Sequence, residues 1–374
     1  MVVLYIIIAI YCLAIIALIY GFTKVNSFDY LGQKPKTKFS IVVPFRNEAE
    51  NLPILLNSLS KLNYPNDLFE VILVDDFSSE EFKVQSLKFK VSVIKNIRVS
   101  NSPKKDAIST AIQFVKNDWI ITTDADCVVN ENWLSALDNY IQLHDVSMIV
   151  GAVSYDCKNS FLHHFQQLDL ASLQGATIGS FGLRKGFMCN GANFAYTKSF
   201  FEKLNGFEGN DGIASGDDVF LLQKAIARFP NKVHYLKSKN DIVVTKPLDD
   251  WKSLFYQRVR WASKTGSYQS GFGKGLGLVV FGGNLAWVLV PMTIGIGGWS
   301  RWPSGLGWIS LLNVALLFLL KFSVDAVLIY KANSFLNKNR MRYLIFGSLL
   351  YPFFSVSVAL YSLFGKYEWK GRRF

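Results

Sequence analysis

The chain opens on an apolar stretch, Met1–Phe22, with no charged residue. About 20 such residues cross the hydrocarbon core of a bilayer. A cleaved secretory leader would have a basic start, a shorter apolar core and a small-x-small cleavage site. None is visible, so residues 1–23 are predicted to be an uncleaved membrane anchor. From residue 38 the pattern changes to short β-branched runs alternating with helical periodicity. Strands are predicted at Phe39–Val43, Glu70–Val74, Val91–Val99 and Trp119–Thr123, and helices at Ala49–Leu62 and Lys104–Lys116. Such alternation predicts an α/β domain over residues 38–247, with a mostly parallel sheet and helices on both faces.

Apolar patterning returns further along. Phe161–Leu173 reads as amphipathic. Leu248–Thr265 mixes Trp251, Leu254, Phe255 and Trp261 with Lys252, Arg258, Arg260 and Lys264. This predicts a helix in the membrane interface over residues 248–270. Three apolar segments follow: Leu276–Gly298, broken by Gly282-Gly283 and Pro291, then Leu306–Tyr330, then Tyr343–Phe364. Trp299, Trp302 and Trp308 sit where an aromatic belt belongs. Residues 276–364 are thus a membrane region of two or three spans, followed by a basic tail, 365–374. If all three segments span, that tail lands outside, against the positive-inside rule. Gly347 and Pro352 offer the alternative of a last segment that folds back as a hairpin.

Composition sharpens this picture. Half the residues are hydrophobic and only 18% are charged, which is too apolar for an ordinary soluble enzyme. The formal net charge is +12. Its basic residues flank apolar stretches, as with Lys24, Lys34, Lys36 and Lys38, or Lys331, Lys338, Arg340 and Arg342. They form no stripe interleaved with aromatics, so nucleic acid is not an expected partner. The pattern predicts a multi-pass protein of the cell inner (plasma) membrane whose catalytic domain faces the cytosol. Cys12, Cys127, Cys157 and Cys189 show no zinc or disulfide spacing. Lys321 and Asp325, four apart in a membrane helix, are expected to neutralise each other. His163-His164 reads as interfacial surface.

Acidic pairs follow the apolar runs in order: Asp75-Asp76, Asp124-Ala125-Asp126 and Asp217-Asp218. Open α/β sheets bind ligands beyond the carboxyl ends of their strands, where these acids fall. On a strand, Asp124 and Asp126 would face the same way and could share a Mg2+ or Mn2+ ion with a substrate phosphate. A solvated turn is the plainer reading of that triplet. Asp76 can accept the ring N–H of a uracil base, or serve as an Asx turn or helix cap before Ser78-Ser79-Glu80. Asp217-Asp218 precedes a helical run. One of the two could act as general base, and both also suit an ordinary helix N-terminus. Gln257, Arg260 and Trp261 share a helix face, where Arg260 could fork onto a diphosphate and Trp261 could wall a sugar.

Taken in order, these residues resemble the inverting family 2 glycosyltransferases of GT-A fold. Ile41-Val42-Val43-Pro44-Phe45-Arg46-Asn47-Glu48 is similar to the opening strand and loop of that family. Asp76 matches its nucleotide-contacting aspartate, and Asp124 and Asp126 match its DxD. Lys104-Lys105-Asp106-Ala107-Ile108 resembles its Lys-x-x-Ala-Leu segment, whose lysine approaches the nucleotide. Gly191-Ala192-Asn193 is similar to the loop beside the donor phosphates. Gly216-Asp217-Asp218 corresponds to Gly-Glu-Asp, with Asp218 in the place of the base. Gln257-Arg258-Val259-Arg260-Trp261 matches the Q-x-x-R-W of membrane members, and the tail from Trp369 resembles the endings of lipid-glycosylating ones. Phe77 and Pro103 stand where the family often has Gly, and Asp217 stands for Glu. The resemblance implies a nucleotide-sugar donor, UDP-linked by expectation, a divalent metal, and an acceptor hydroxyl on a lipid or a glycan. Alternatives are a processive polysaccharide synthase and a silent membrane scaffold that retains the nucleotide fold.

Overall fold

The computed structural model describes residues 2–84, 86–209, 216–296, 306–336, 341–364, 368–369 and 372–373, with side chains at 290–311 and beyond 364 left out. Trp299 and Trp302, the Trp308 side chain and most of the basic tail therefore lie outside the described residues. The chain divides into two compact units.

The first, residues 25–157 and 184–247, is built on a seven-stranded sheet of order β3-β2-β1-β4-β7-β5-β8. β1 (Phe39–Phe45) runs between β2 (Phe69–Asp75) and β4 (Trp119–Thr122), parallel to both, and β3 (Lys90–Lys95) extends the β2 side. β5 (Met148–Val150) and β8 (Val233–Tyr235) are parallel to each other, while β7 (Phe194–Thr197) runs antiparallel to β4 and β5. β6 (Val153–Tyr155) and β9 (Val243–Thr245) form a separate parallel pair. β1, β2 and β4 are nearly continuous apolar runs and are buried along almost their whole length, as strands covered on both faces must be. Pro44 sits beyond the last β1–β4 pair, so its missing N–H breaks no ladder bond on that side.

The helices of this unit are α2 (Leu52–Leu59), α3 (Pro103–Phe114), α4 (Trp133–Leu143), α6 (Lys198–Lys203) and α7 (Asp217–Arg228). α2 is shorter than the predicted 49–62 run. β3 stops at Lys95, short of the predicted Val99, because Asn96 and Arg98 turn their side chains onto Asp76 instead of continuing the ladder. Pro103 opens α3 at its first turn, the position proline tolerates best.

The second unit, residues 1–24, 158–183 and 248–374, is helical. It holds α1 (Val2–Lys24), α5 (Phe161–Gly182), α8 (Trp251–Ala262), α9 (Gly271–Ile296), α10 (Leu306–Leu336) and α11 (Leu344–Phe364). Four of the described helices, α1, α9, α10 and α11, are long and apolar enough to cross a membrane. The predicted 38–247 domain is thus interrupted, since 158–183 groups with the membrane helices. α5 runs nine residues past the predicted Leu173. Its late glycines look like helix breakers in sequence, yet they let two backbones touch. A Cβ at Gly179 would lie 2.4 Å from the Leu18 carbonyl oxygen, and one at Gly182 1.8 Å from that of Gly21.

One expectation about the apolar helices is corrected, since α9 continues through Gly282-Gly283 and Pro291. Of the two options left open for the last segment, α11 is one continuous helix with Pro352 inside it. Neighbouring membrane helices tolerate such residues by resatisfying the freed backbone groups. His163 and His164 are buried, not surface. The Lys158 N–H donates to His163 Nδ1 (3.1 Å), which leaves Nε2 to donate to Asp249 (2.9 Å). Lys321 and Asp325 do neutralise each other at 2.7 Å, and the Tyr11 hydroxyl donates to the same carboxylate at 2.7 Å.

Candidate active site

The site is assembled from loops at the ends of β1, β2 and β4 and the starts of α3 and α7. The first two loops are tied together. The Asn47 N–H donates to Ser78 Oγ (2.9 Å), and Asn47 Oδ1 accepts the Ser79 N–H (2.9 Å). Asn47 and Phe77 both take positive φ, 54° and 58°. The backbone at residue 77 thus asks for the glycine usual in the family, and Phe77 adopts that conformation regardless. Asp75, not Asp76, makes the Asx turn, accepting the Ser78 N–H (2.9 Å). Asp76 is buried and fixed by Asn96 Nδ2 (2.7 Å) and Arg98 Nη1 (3.3 Å). Neither partner was apparent in the sequence, because both belong to an apolar-looking run. Asn96 Nδ2 also donates to the Pro103 carbonyl (3.1 Å), which links Asp76 to the α3 turn that carries Lys104.

β4 ends at Thr122, so Asp124-Ala125-Asp126 lies on a turn beyond it, closed by the Cys127 N–H donating to the Asp124 carbonyl (3.2 Å). The strand geometry expected for this triplet is therefore replaced by turn geometry. Ala125 is buried while both aspartates stay half-buried. Lys104 Nζ reaches Asp124 Oδ1 at 2.6 Å and Asp217 Oδ2 at 3.9 Å. Burial alone would lower the Lys104 pKa, but the charges of Asp124, Asp217 and Asp218 outweigh it and keep the amine protonated. Burial, then the charges of Asp124 and Glu48, push the Asp126 carboxyl above its ordinary range. Glu48 itself accepts from Asn51 Nδ2 (2.7 Å).

Gly216 enters α7 with φ of 84° and turns Asp217 and Asp218 into the site. The Gly191 N–H donates to Asp218 Oδ2 (2.7 Å), and the Gly191 carbonyl accepts from Thr122 Oγ1 (2.8 Å). Lys104, Asp124, Asp217, Asp218 and Gly191 are therefore together, although the sequence spreads them over more than a hundred positions. The Asn193 amide points inward. Its Oδ1 accepts from Trp133 Nε1 (3.1 Å), and its Nδ2 serves the Ala152 carbonyl (3.0 Å) and Asp241. Asn193 thus shapes the loop.

Gln257, Arg260 and Trp261 lie on α8 in the helical unit. The buried arginine of the motif is Arg258, while Arg260 is only partly buried. Arg258 Nε donates to Asp169 Oδ2 (2.6 Å), its guanidinium lies 4.2 Å from the Trp261 ring centre, and its Nη1 donates to Gln257 Oε1. A lone aspartate in the apolar run of α5 was the available signal that a buried cation would be needed.

The donor set suits a hard divalent ion. Asp124 and Asp126 offer carboxylate oxygens, and the burial of Asp126, with the neighbouring charges of Asp124 and Glu48 second, disfavours its bare anion in a way that a bound cation would relieve.

Residues 40–204 match the family described as Glycosyl transferase family 2. The chain is 29% identical over 119 residues to the poly(ribitol-phosphate) beta-N-acetylglucosaminyltransferase TarS of Staphylococcus aureus, covering 30% of this chain and 20% of that protein. It is 37% identical over 94 residues to the undecaprenyl-phosphate 4-deoxy-4-formamido-L-arabinose transferase of Photorhabdus laumondii, covering 24% of this chain and 29% of that one. The matches thus span less than a third of these relatives' length. Among solved structures, the mannosyltransferase PcManGT of Pyrobaculum calidifontis, in complex with GDP-Man and Mn2+, superposes with a TM-score of 0.51 at 14% identity, covering 96% of this chain and 99% of that one. That likeness shows the fold, and with the seven-stranded sheet it agrees with the GT-A architecture read from the sequence. Residues 40–204 are thus similar to a family 2 glycosyltransferase domain.

Proposed function

We propose that the chain is a membrane-bound inverting glycosyltransferase that moves a sugar from a nucleotide-sugar, UDP-linked on the present reading, to a lipid hydroxyl. The carrying observation is the convergence of Lys104, Asp124, Asp217 and the Asp218–Gly191 pair on one loop cluster. Asp218 removes the proton of the acceptor hydroxyl as that oxygen attacks the anomeric carbon from the face opposite the nucleotide. The proton passes to the Asp218 carboxylate and the nucleotide diphosphate departs. Lys104 presents its charge to that diphosphate. Asp124 and Asp126 would hold a Mg2+ or Mn2+ ion. When bound, the ion supplies neutralisation of the leaving group's charge. Asp76, held by Asn96 and Arg98, is assigned to the base, with Pro44, Glu48 and Asp217 lining the donor side.

A lipid acceptor is favoured by the four apolar helices and by a relative whose name specifies undecaprenyl phosphate. The same helices support a membrane location, and we assign the plasma membrane with a cytosolic catalytic domain from the basic residues that flank the apolar stretches. The test is a donor screen with purified full chain in native lipid, read by mass spectrometry of the lipid extract. One added hexose-type mass on a lipid is expected. A ladder or polymer would replace this reading with a processive synthase, and no consumption of any nucleotide-sugar would remove it.

A further inference from the structure

Behind the Gly191 loop lies an acid with no direct part in the proposed transfer. Asp241 ends a single helical turn, Lys239–Asp241, and is fully buried. Its Oδ2 accepts from Asn193 Nδ2 (3.2 Å), and its main-chain carbonyl accepts from the same nitrogen (2.5 Å). Its Oδ1 has no hydrogen-bond partner among the described residues. The backbone of Asn193 is pinned as well. Its N–H donates to the Asn190 carbonyl, and its carbonyl accepts the Gly151 N–H, both at 3.0 Å. Residue 151 must be glycine for this packing, since a Cβ there would lie 2.2 Å from Asn193 Nδ2 and 2.4 Å from Asp241 Oδ2. Two residues before Asn193, the Gly191 N–H holds Asp218.

We propose that Asp241 is a positioning residue for the transfer step: by holding the Asn193 amide, it fixes the Gly191 N–H that orients the Asp218 carboxylate. The proposal rests on the reading of Asp218 as the base. Burial pushes the Asp241 carboxyl well above its ordinary range, which favours the neutral acid over the anion. A neutral acid and an amide are close in shape and both offer a carbonyl oxygen. Asparagine at this position should therefore serve, and a truncated side chain should not.

The test is the pH dependence of kcat in the purified full chain, with donor KM measured alongside. A backbone N–H favours the ionised form of the carboxylate it donates to. Losing that alignment makes the base harder to ionise, so the acidic limb of kcat moves to higher pH. Asp241→Ala is expected to lower kcat about 10-fold or more, to leave donor KM nearly unchanged, and to move the limb upward. Asp241→Asn is expected to restore both rate and limb. Trp133→Phe removes the other anchor of the same amide and is expected to move the limb in the same direction by less. It carries the test alone if Asp241→Ala does not fold. An unmoved limb in these variants, or Asp241→Asn as impaired as Asp241→Ala, overturns the proposal while the transferase reading stands. No transfer by the wild type overturns both.

Discussion

The two units treat carboxylates in opposite ways. Among the described residues of the helical unit, the acids drawn out of solvent each face one cation: Asp325 has Lys321 at 2.7 Å and Asp169 has Arg258 at 2.6 Å. At the edge of the sheet, Lys104 is shared by Asp124, Asp217 and Asp218, with Asp126 and Glu48 adding further negative charge. Buried charges that serve architecture are matched, because an unmatched one is costly. A surplus of one sign is stable only where a ligand of the other sign completes it. On the proposed function, the difference separates structural acids from those assigned to a metal and a nucleotide.

The sharpest way to break the comparison is at Asp169. Asp169→Asn leaves the Arg258 cation buried without its counter-charge and is expected to cost about 3–5 kcal/mol, read by thermal denaturation in lipid. The double change Asp169→Leu with Arg258→Met should recover most of that loss. If the single variant is as stable as wild type, the pairing in the helical unit is incidental. On the other side, Asp126→Ala should leave stability nearly intact or raise it, since it removes surplus charge. It should also lower transfer by about 10²–10³ and abolish the response to added Mn2+, read as initial rates over a metal titration. Retained metal response would show that the ion is held elsewhere.

Most of the site was legible, and for a physical reason. Acids that follow apolar runs mark strand ends whatever the tertiary detail, so Asp76 and Asp124 could be placed before the fold was known, and Asp218 could be placed by the helical run that it opens. The side chains that brace them were not legible. Asn96, Arg98 and Asp241 contact their partners across sequence gaps with no periodicity, and a residue's burial is set by packing that no local pattern encodes. The same limit hid α5. Its glycines and glutamines read as the fading of a helix, whereas they are the small and polar groups that close helix contact inside a membrane unit requires. The Gln167–Asn333 bond at 3.0 Å is one example. Topology at the last helix was undecided because proline and glycine break helices in water but not among membrane neighbours.

Two smaller effects sharpen the contrast within the sheet unit. Burial would raise Glu70, but the Lys116 N–H, Ser40 and Lys90 hold it below its usual range. Burial would likewise raise Asp75, but Lys95 and Ser78 hold it down. A depressed folded-state pKa gives stability that is present above the unfolded value and lost as pH falls through the folded one. Stability should thus decline below about pH 4, and Glu70→Gln should flatten that decline in an acid titration followed by circular dichroism. The smallest effect is expected at the exposed Lys232–Asp145 pair, where Asp145→Asn should change stability by less than about 1 kcal/mol. A larger change there would mean that exposure does not separate costly pairs from cheap ones.

The most direct measurement compares Asp218→Asn with wild type in one lipid preparation, reading nucleotide-sugar binding by calorimetry and sugar transfer by mass spectrometry. Donor affinity should stay near wild type while transfer falls to background. Undiminished transfer by Asp218→Asn would contradict the assignment of the base, and with it the account of why these distant acids meet.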